Sequence, residues 1–329
     1  MFNRNRINRA FLWLILLMLA VSGAEAQKSK SKKPKSDKGM PAGQAVLWEP
    51  VQVENRDLFA GPGGDAMRPD LSSIKFIEDD KNGHNKKYRI SDGSGNVWVA
   101  KPGREARPET VAVRLLWGLG YVTEINYLVP TLTIPSRGTF TNVRLEARPK
   151  NVKRLDPWKW RDNPFVGTNE LQGLKMMMVF MTNYDLLDLQ NKVLEVKDGS
   201  HPELQYVISD LGSTFGRLGN NNLPIFYRLG RVADSPKAWN KAKFIKGVKN
   251  GELRMAYTGG KSRGIMKGIT IEQGRWLAGL LSRLSDSQVR DAFRAANYSP
   301  AEIDIMAGAF RRRVDELNRA VGERNLAGK

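Results

Sequence analysis

The chain of 329 residues has 41% hydrophobic and 26% charged side chains, a composition typical of a globular protein with a substantial core. Its 53 Lys and Arg residues outnumber 34 Asp and Glu, and the formal charge of +19 predicts attraction to phosphates, nucleic acid or other anions. The absence of cysteine excludes disulfides, thiol nucleophiles and cysteine-ligated metals, and only His84 and His201 could serve a Ser-His-Asp triad.

Residues 1–26 have the three parts of a secretory signal peptide. Three arginines lie within residues 1–9, an apolar run (FLWLILLMLAV) fills residues 11–21, and Ala24-Glu25-Ala26 is a small-residue cleavage pattern. The run is shorter than the roughly 20 residues that span a bilayer. We therefore expect export to the periplasm or the cell exterior and a mature chain without a transmembrane span, with an uncleaved anchor as the alternative.

Residues 27–44 are interpreted as a disordered linker. The part at 27–39 (QKSKSKKPKSDKG) is rich in lysine and has no apolar side chain to bury. It is either a solvated linker or an electrostatic tether to an anionic surface. We divide the rest of the chain into a β-rich N-lobe at 45–150 and a mainly helical C-lobe at 151–329.

The predicted N-lobe contains several extended segments and one helix. A helix is expected from Pro108 to Leu119, because proline is tolerated in a first helical turn, and Gly120 ends it. The turn at 91–96 is flanked by β-rich runs and predicts a hairpin. Extended segments or strands are predicted at 45–53, 73–78, 87–90, 97–101, 124–134 and 140–148.

The predicted C-lobe begins with a loop at 154–165 that contains Trp158 and Trp160. Their rings could stack on bases or sugars, but packing against the body is the simpler interpretation, and no recognised nucleic-acid-binding module is visible. An apolar helix at 170–184 has methionines that we interpret as core. A strand is predicted at 204–209, residues 213–268 have poor periodicity, and helices are predicted at 271–284, 287–296 and 300–320.

Ser285 and Ser299 precede the last two predicted helices as N-caps. The element order, with strands first and helices last, favours an α+β protein in which a small β-rich lobe leads a larger helical lobe.

Candidate phosphate-binding residues lie in the predicted hairpin and the helix after it. Gly93 and Gly95 in the turn could bring backbone N–H groups over phosphates, and Lys101, at the end of the second strand, could reach phosphate oxygens. Glu109 in the first helical turn could fix Lys101 by pairing with it, and Glu105 is the competing partner. Each residue also has a purely structural interpretation, either as a solvated charge or as part of an ordinary turn.

Two acidic segments follow in the C-lobe. Asp185 directly follows the apolar helix, where a carboxylate could accept a proton from a hydroxyl group, and Gln190 or Asn191 nearby could bind a metal. Asp210 ends a hydrophobic strand and precedes Gly212, and its carboxylate suits Mg²⁺. Ordinary capping or turn formation is the alternative for both segments.

The order of these parts is that of a kinase-like phosphotransferase. Asn183-Tyr184-Asp185 after a helix, followed by DLGSTFG at 210–216, resembles the atypical kinase group. This group includes the secretory-pathway casein kinases, the spore-coat kinases and the phosphatidylinositol 3-/4-kinases. The likeness covers roughly residues 85–220, and the chain also resembles a family of secreted bacterial proteins.

The resemblance implies a two-lobed protein-kinase-like fold that uses ATP or another nucleotide with Mg²⁺ or Mn²⁺. It implies a donor-phosphate site formed by Lys101 with Glu109, Gly93 and Gly95. It implies that Asp185 is the catalytic base. It also implies a metal site formed by Asp210 with Asn191 or Gln190. The implied partners are a nucleotide and an acidic or phosphorylated acceptor.

Some positions depart from the kinase pattern. Gln190 lies five residues after Asp185, where kinases of this group usually have an amide or acid, and Asn191 lies at six. Leu186 and Leu187 replace the frequent basic pair, and no complete G-x-G-x-x-G loop is present. The alternative function is therefore a non-catalytic pseudokinase of the bacterial envelope that binds an anionic polymer or an acidic partner.

Overall fold

The structure is a computed structural model that describes residues 40–80, 85–197, 202–219, 229–257 and 264–322. The predicted signal peptide, most of the predicted linker and both histidines lie outside these residues. Residues 1–42 and 43–329 form separate units, and every element below belongs to the second. Within the described ranges, no helix has both the length and the apolar character needed to cross a membrane.

An antiparallel five-stranded sheet forms the first lobe, in the order β2-β3-β4-β6-β5. The tight turn between β3 and β4 is the predicted hairpin. Alternate side chains of β3 are buried, as expected where one face of a sheet covers a core. The strands are β2 (Lys75–Asp80), β3 (Lys87–Ser91), β4 (Val97–Pro102), β5 (Asn126–Ile134) and β6 (Gly138–Ala147).

One helix, α1 (Ala106–Gly118), packs against β5 and β6 of this sheet. It begins two residues before Pro108, which lies in its first turn as predicted. Gly120 follows the helix with a φ of 98°, and a Cβ there would lie 2.4 Å from the carbonyl oxygen of Glu49. Glycine is needed here because both the backbone conformation and the close approach exclude a side chain.

A second sheet, in the order β1-β9-β8-β7, belongs to the other lobe. Its first strand comes from the border of the predicted linker and N-lobe, and it pairs in parallel with β9 of the C-terminal half. The strand β8 was not predicted. The members are β1 (Gln44–Val46), β7 (Val152–Arg154), β8 (Asn191–Val196) and β9 (Glu203–Ile208).

Residues 213–268 showed no clear periodicity in the sequence, and the described part of this range forms two short antiparallel ladders and a short helix. The ladders are β10 (Arg217–Leu218) with β11 (Arg231–Val232), and β12 (Ile245–Lys249) with β13 (Glu252–Met255). The helices of this lobe are α2 (Asn169–Phe180), α3 (Pro236–Lys241), α4 (Ile271–Ser282), α5 (Asp286–Arg294) and α6 (Pro300–Gly322).

The helix ends follow from local hydrogen bonds. Ser285 forms a capping box with Gln288 at the start of α5, and the Ser299 side chain accepts from the Glu302 amide in the first turn of α6. Helix α2 ends at Phe180, before the predicted end at 184. Thr182 has a φ of 55°, which turns the chain out of the helix.

The larger core lies in the helical lobe and a smaller one lies under the first sheet. Phe180 contacts Trp239, Phe244 and Phe310 edge to face, and the methionines of α2 are buried as predicted for a core. Trp158 and Trp160 are 3% and 2% exposed and pack on each other at 4.9 Å between ring centres. Their rings are therefore core, and are not available to stack on bases or sugars.

Candidate functional site

Lys101 lies near the end of β4 with its ammonium group surrounded by carboxylates. Its Nζ is 2.6 Å from Glu105, 3.3 Å from Glu109 and 3.7 Å from Asp210, and only 3% of the side chain is exposed. Burial by itself would lower the pKa of Lys101, but the negative charges of Glu109, Asp210 and Glu105 outweigh it and raise the pKa above its usual value. Lys101 is therefore a fixed positive charge within the site.

Glu109 lies in the first turn of α1 and is held from two sides. Besides Lys101, its carboxylate pairs with Arg144 of β6 at 3.0 Å, and Arg144 also pairs with Glu146 at 2.6 Å. Lys101 and Arg144 are directly opposite each other on β4 and β6, so the sheet register presents both cations to α1. Burial raises the pKa of Glu109, and Arg144 and Lys101 oppose that change.

Asp185 lies in the turn after α2 and is oriented by neighbouring amides. The Asp185 backbone N–H donates to Asn183 Oδ1 at 2.8 Å, and Gln190 Nε2 donates to Asp185 Oδ2 at 2.9 Å. Asn191 is buried at the start of β8, and its Nδ2 donates to the carbonyl oxygen of Trp158 at 2.9 Å. Of the two amides proposed for a metal, Gln190 contacts Asp185 and Asn191 holds the tryptophan loop.

Asp210 follows β9, and its Oδ1 accepts a hydrogen bond from the Gly212 amide at 3.3 Å. A Cβ on Gly212 would lie 2.5 Å from the Cβ of Glu105, so only glycine lets the β4–α1 loop lie over the Asp210 loop. The Asp210 loop also joins the Asp185 loop, because the Tyr184 amide donates to Ser213 O at 3.3 Å. The two acidic segments are therefore neighbours.

The glycine turn is placed differently from the other candidates. Gly93 donates its amide to Asp70 O at 2.9 Å, and Asp92 accepts from the indole of Trp98 at 2.8 Å, so the turn is tied to residues 70–72. It precedes β4 and Lys101 lies near the end of that strand, six residues after Gly95, which is about 20 Å at roughly 3.3 Å per residue. Gly93 and Gly95 are not brought to Lys101.

The end of β2 and the start of β3 lie at the Lys101 end of the sheet, because Asp80 pairs with Lys87 and Tyr88 pairs with Ala100. The connection between them includes Asn85, whose Nδ2 donates to Glu105 Oε2 at 2.7 Å, and residues 81–84 lie outside the described ranges. The sequence showed no pattern that singles out Asn85, because its importance depends on a contact twenty residues along the chain.

Beside these residues lies a cleft of about 310 Å³ between the β4–α1 loop and β11. Arg104, Glu105, Tyr184 and Arg231 are among the residues that line it, and the Arg231 guanidinium lies 5.1 Å from the Tyr184 ring centre. The cleft thus contains two guanidinium groups, and their positive charge suits an anionic ligand. It also reaches Tyr184, the residue before Asp185. Arg104 and Arg231 were not identified from the sequence.

The donor set fits a divalent cation held with phosphate oxygens. Mg²⁺ typically uses one or two protein carboxylates together with substrate phosphates, so Asp210 with the Gln190 amide oxygen is a sufficient protein contribution. No cluster of three or more acidic or histidine side chains that could hold a metal occurs among the residues described.

No protein-family model matches the chain, and no curated protein matches its sequence. Twelve solved chains are similar to it, among them two kinases. The Helicobacter pylori proinflammatory kinase CtkA is 10% identical, with 78% of this chain and 99% of that chain covered and a TM-score of 0.48. The Golgi casein kinase is 9% identical, with 79% and 75% covered and a TM-score of 0.34.

The architecture itself is two-lobed, with a β-rich lobe followed by a mainly helical one. A strand lysine and a helix glutamate are paired in the β-rich lobe, and the helical lobe presents an aspartate after α2 and another after β9. The α+β, two-lobed fold expected from the sequence is confirmed.

Proposed function

We propose that the protein is an exported kinase-like phosphotransferase that uses a nucleotide with Mg²⁺ or Mn²⁺. The observation that carries the proposal is the position of Lys101 Nζ, within 3.7 Å of both Glu109 and Asp210. It supports the proposal because a cation suited to phosphate, an acid that fixes it and a carboxylate suited to a metal lie next to one another. Phosphoryl transfer needs chiefly such positioning and charge neutralisation.

Each side chain then has a definite role. Lys101 binds donor phosphate oxygens while Glu109 fixes its direction, and Asp210 with Gln190 supplies oxygen ligands to the cation. Asp185, oriented by its hydrogen bond from Gln190, accepts the proton of the acceptor hydroxyl. A metal held by Asp210 and Gln190 would supply positive charge beside the transferred phosphoryl group.

One observation favours the alternative of a non-catalytic nucleotide-binding or anion-binding protein. The Glu105 carboxylate, at 2.6 Å, is closer to Lys101 Nζ than Glu109 is, and Asn85 holds it in place. A donor phosphate has to displace Glu105 before it reaches Lys101. A pseudokinase would keep Glu105 in this position and bind its partner in the Arg104–Arg231 cleft.

A thermal-shift titration of residues 27–329 with ATP and Mg²⁺ or Mn²⁺ tests nucleotide use. A ligand at 100 times its Kd stabilises the folded state by about 2.7 kcal/mol, and we expect a metal-dependent rise in melting temperature. Asp210→Asn should abolish the rise, whereas Asp162→Asn, a carboxylate that is 81% exposed, should not. The absence of a shift with every nucleotide and metal in the unmodified protein would contradict the proposal.

Turnover is tested separately by transfer of labelled γ-phosphate to the protein itself and to added acceptors. Loss of transfer in Asp185→Asn with nucleotide binding retained is the expected result. Nucleotide binding without transfer in the unmodified protein would establish the pseudokinase alternative.

A further inference from the structure

We propose that the acceptor is an acidic polypeptide segment, and that a second cavity beside the Asp185 loop binds it. This inference rests on the proposed phosphotransferase function. The cavity has a volume of about 430 Å³ and is lined by Lys246, Arg254 and Lys267 together with Tyr257 and Met266. We call it the cationic pocket.

The β12–β13 hairpin creates this concentration of charge. The register shifts between Ile245 and Gly247, so Lys246 is an extra, unpaired residue in β12. The next residue, Gly247, lies opposite Arg254 of β13, and this brings Lys246 close to Arg254 in the ladder. A bulge of this kind redirects a side chain and is common beside functional sites. Lys267 contributes a third cation from the chain before α4.

The lining of the cationic pocket has more positive than negative charge. None of its three cations forms an ion pair with a carboxylate within the ranges that the structure describes, and Glu252 is the one acid among the residues that line the cavity. Elsewhere clustered cations have acidic partners, as where Arg144 and Arg154 both pair with Glu146. Like charges held together repel, and a bound anion relieves that repulsion.

Tyr257 connects the cationic pocket to Asp185. Its side chain lines the pocket and is 3% exposed, and it interacts electrostatically with Asp185 and Arg231. Burial raises the pKa of Tyr257 above its usual value, so the phenol stays neutral near pH 7. The pocket therefore adjoins the residue proposed to accept the acceptor's proton, and the donor site at Lys101 is lined by different residues.

The shape and lining favour a peptide over a free polyphosphate. The volume lies within the usual 300–1,000 Å³ of small-ligand sites, which is room for a few side chains. Apolar side chains of Met255 and Met266 lie beside the cations, and methionine adapts to varied aliphatic partners. Arg254 can bind a carboxylate bidentately. Leu187 and Leu189, 43% and 76% exposed in the Asp185 loop, offer apolar contacts to the flanking acceptor residues.

Binding is measured directly, without nucleotide, on residues 27–329. The probe is a fluorescent peptide in which glutamates and one leucine flank a serine, and a peptide with glutamine in place of glutamate is its control. The pocket variant is Lys246→Gln with Arg254→Gln. The matched variant is Lys237→Gln with Lys241→Gln, which removes the same charge from α3, and both pairs are exposed.

We expect the glutamate peptide to bind about tenfold more tightly than the glutamine peptide, and the pocket variant to lose about tenfold in affinity for it. The matched variant should change less than about twofold, and added salt should weaken binding. In transfer assays the pocket variant should raise KM for the peptide and leave KM for ATP unchanged.

Equal affinity for the two peptides, or equal losses in the two double variants, would overturn the pocket assignment. Polyphosphate binding in place of the peptide would overturn it as well. Peptide binding that depends on the pocket in a protein that never transfers phosphate would contradict the proposed phosphotransferase function and leave the pocket in place, so the two failures are distinguishable.

Discussion

At the scale of single residues, Glu105 decides how readily the site accepts a phosphate. Its carboxylate is 2.6 Å from Lys101 Nζ and is 31% exposed, so the pair is partly screened by solvent. Replacing Glu105 with glutamine removes a negative competitor for Lys101 and leaves the buried Glu109 pair intact. We expect ATP with Mg²⁺ to bind about three- to fivefold more tightly to Glu105→Gln, as measured by calorimetry.

The matched control for that measurement is Glu78→Gln, since Glu78 is a more exposed acid in a surface pair with Arg89. It should leave the Kd for ATP unchanged. Weaker binding in Glu105→Gln would show that Glu105 contributes to binding the nucleotide or its cation, and would contradict its role as a competitor.

At the scale of elements, the start of α1 is fixed to the helical lobe through Arg107. Its guanidinium lies 3.7 Å from the Tyr298 ring centre, 2.9 Å from the Glu302 carboxylate and 3.9 Å from the Asp234 carboxylate. Asp234 in turn accepts a hydrogen bond from the Tyr298 hydroxyl at 2.6 Å. Glu109 follows two residues later on the same helix. The position of the Lys101–Glu109 pair therefore depends on a contact that crosses from one lobe to the other.

We expect Arg107→Gln to lower the free energy of unfolding by about 1–3 kcal/mol and to weaken nucleotide binding about tenfold. Urea unfolding and hydrogen exchange of the α1 amides measure the two effects. Arg290→Gln breaks two exposed pairs, with Asp286 and Asp304, and serves as the control, with an expected loss of about 1 kcal/mol or less. Unchanged exchange in α1 would contradict the proposed coupling.

A second link between elements is the buried charge cluster of Glu124, Glu146 and Arg154. Glu124 precedes β5, Glu146 lies in β6, and Arg154 in β7 pairs with both and also donates to Ser209 Oγ, beside Asp210. Burial and the nearby Glu146 raise the pKa of Glu124 to about 7, although Arg154 opposes them. Glu146 has a lowered pKa because the neighbouring arginines outweigh its burial.

The raised pKa gives the pH dependence a definite sign. Folded Glu124 keeps a proton that the unfolded chain releases above about pH 4.5, so its stabilisation is complete below that pH and is lost as the pH rises through 7. The stabilisation from Glu146, whose pKa is lowered, is complete above about pH 4.5 and is lost only as the pH falls below that value, so it adds no slope in this range. Between pH 5 and 8, unmodified protein should lose about 1–3 kcal/mol more unfolding free energy than Glu124→Gln. Equal slopes in urea unfolding would contradict this assignment.

At the scale of the whole molecule, local patterns were predictable and long-range pairings were not. Lys101 and Glu109 are eight residues apart, joined by one turn, and their pairing follows from a strand that leads directly into a helix. Strand β8 was missed because a short segment after an acidic turn has little periodicity of its own, and its register comes from β9. Arg231 and Tyr257 reach the Asp185 loop from a part of the sequence without clear periodicity, so only tertiary packing identifies them.

The N-terminal strap, residues 43–58, shows the same limit most clearly. The sequence predicted the end of a linker and an extended segment there. In the structure, the strap contacts both lobes. Strand β1 pairs with β9, Trp48 Nε1 donates to Leu119 O at 2.6 Å at the end of α1, and Gln288 of α5 donates to Val53 O at 2.8 Å. Leu47 and Val53 are 2% and 0% exposed, so the strap also completes the larger core.

Truncation separates these two descriptions of the strap. A chain that starts at residue 53 loses β1, Leu47 and the Trp48 hydrogen bond, and burial of such side chains contributes about 1.5–3 kcal/mol each. With the lost strand pairing, we expect a decrease of about 4 kcal/mol or more, or roughly 8–16 °C in melting temperature for a domain of this size. A chain that starts at Gly43 keeps every one of these contacts and is the matched control. Equal melting temperatures for the two chains would mean that the segment is a linker after all, and that α1 is held by the remaining contacts alone.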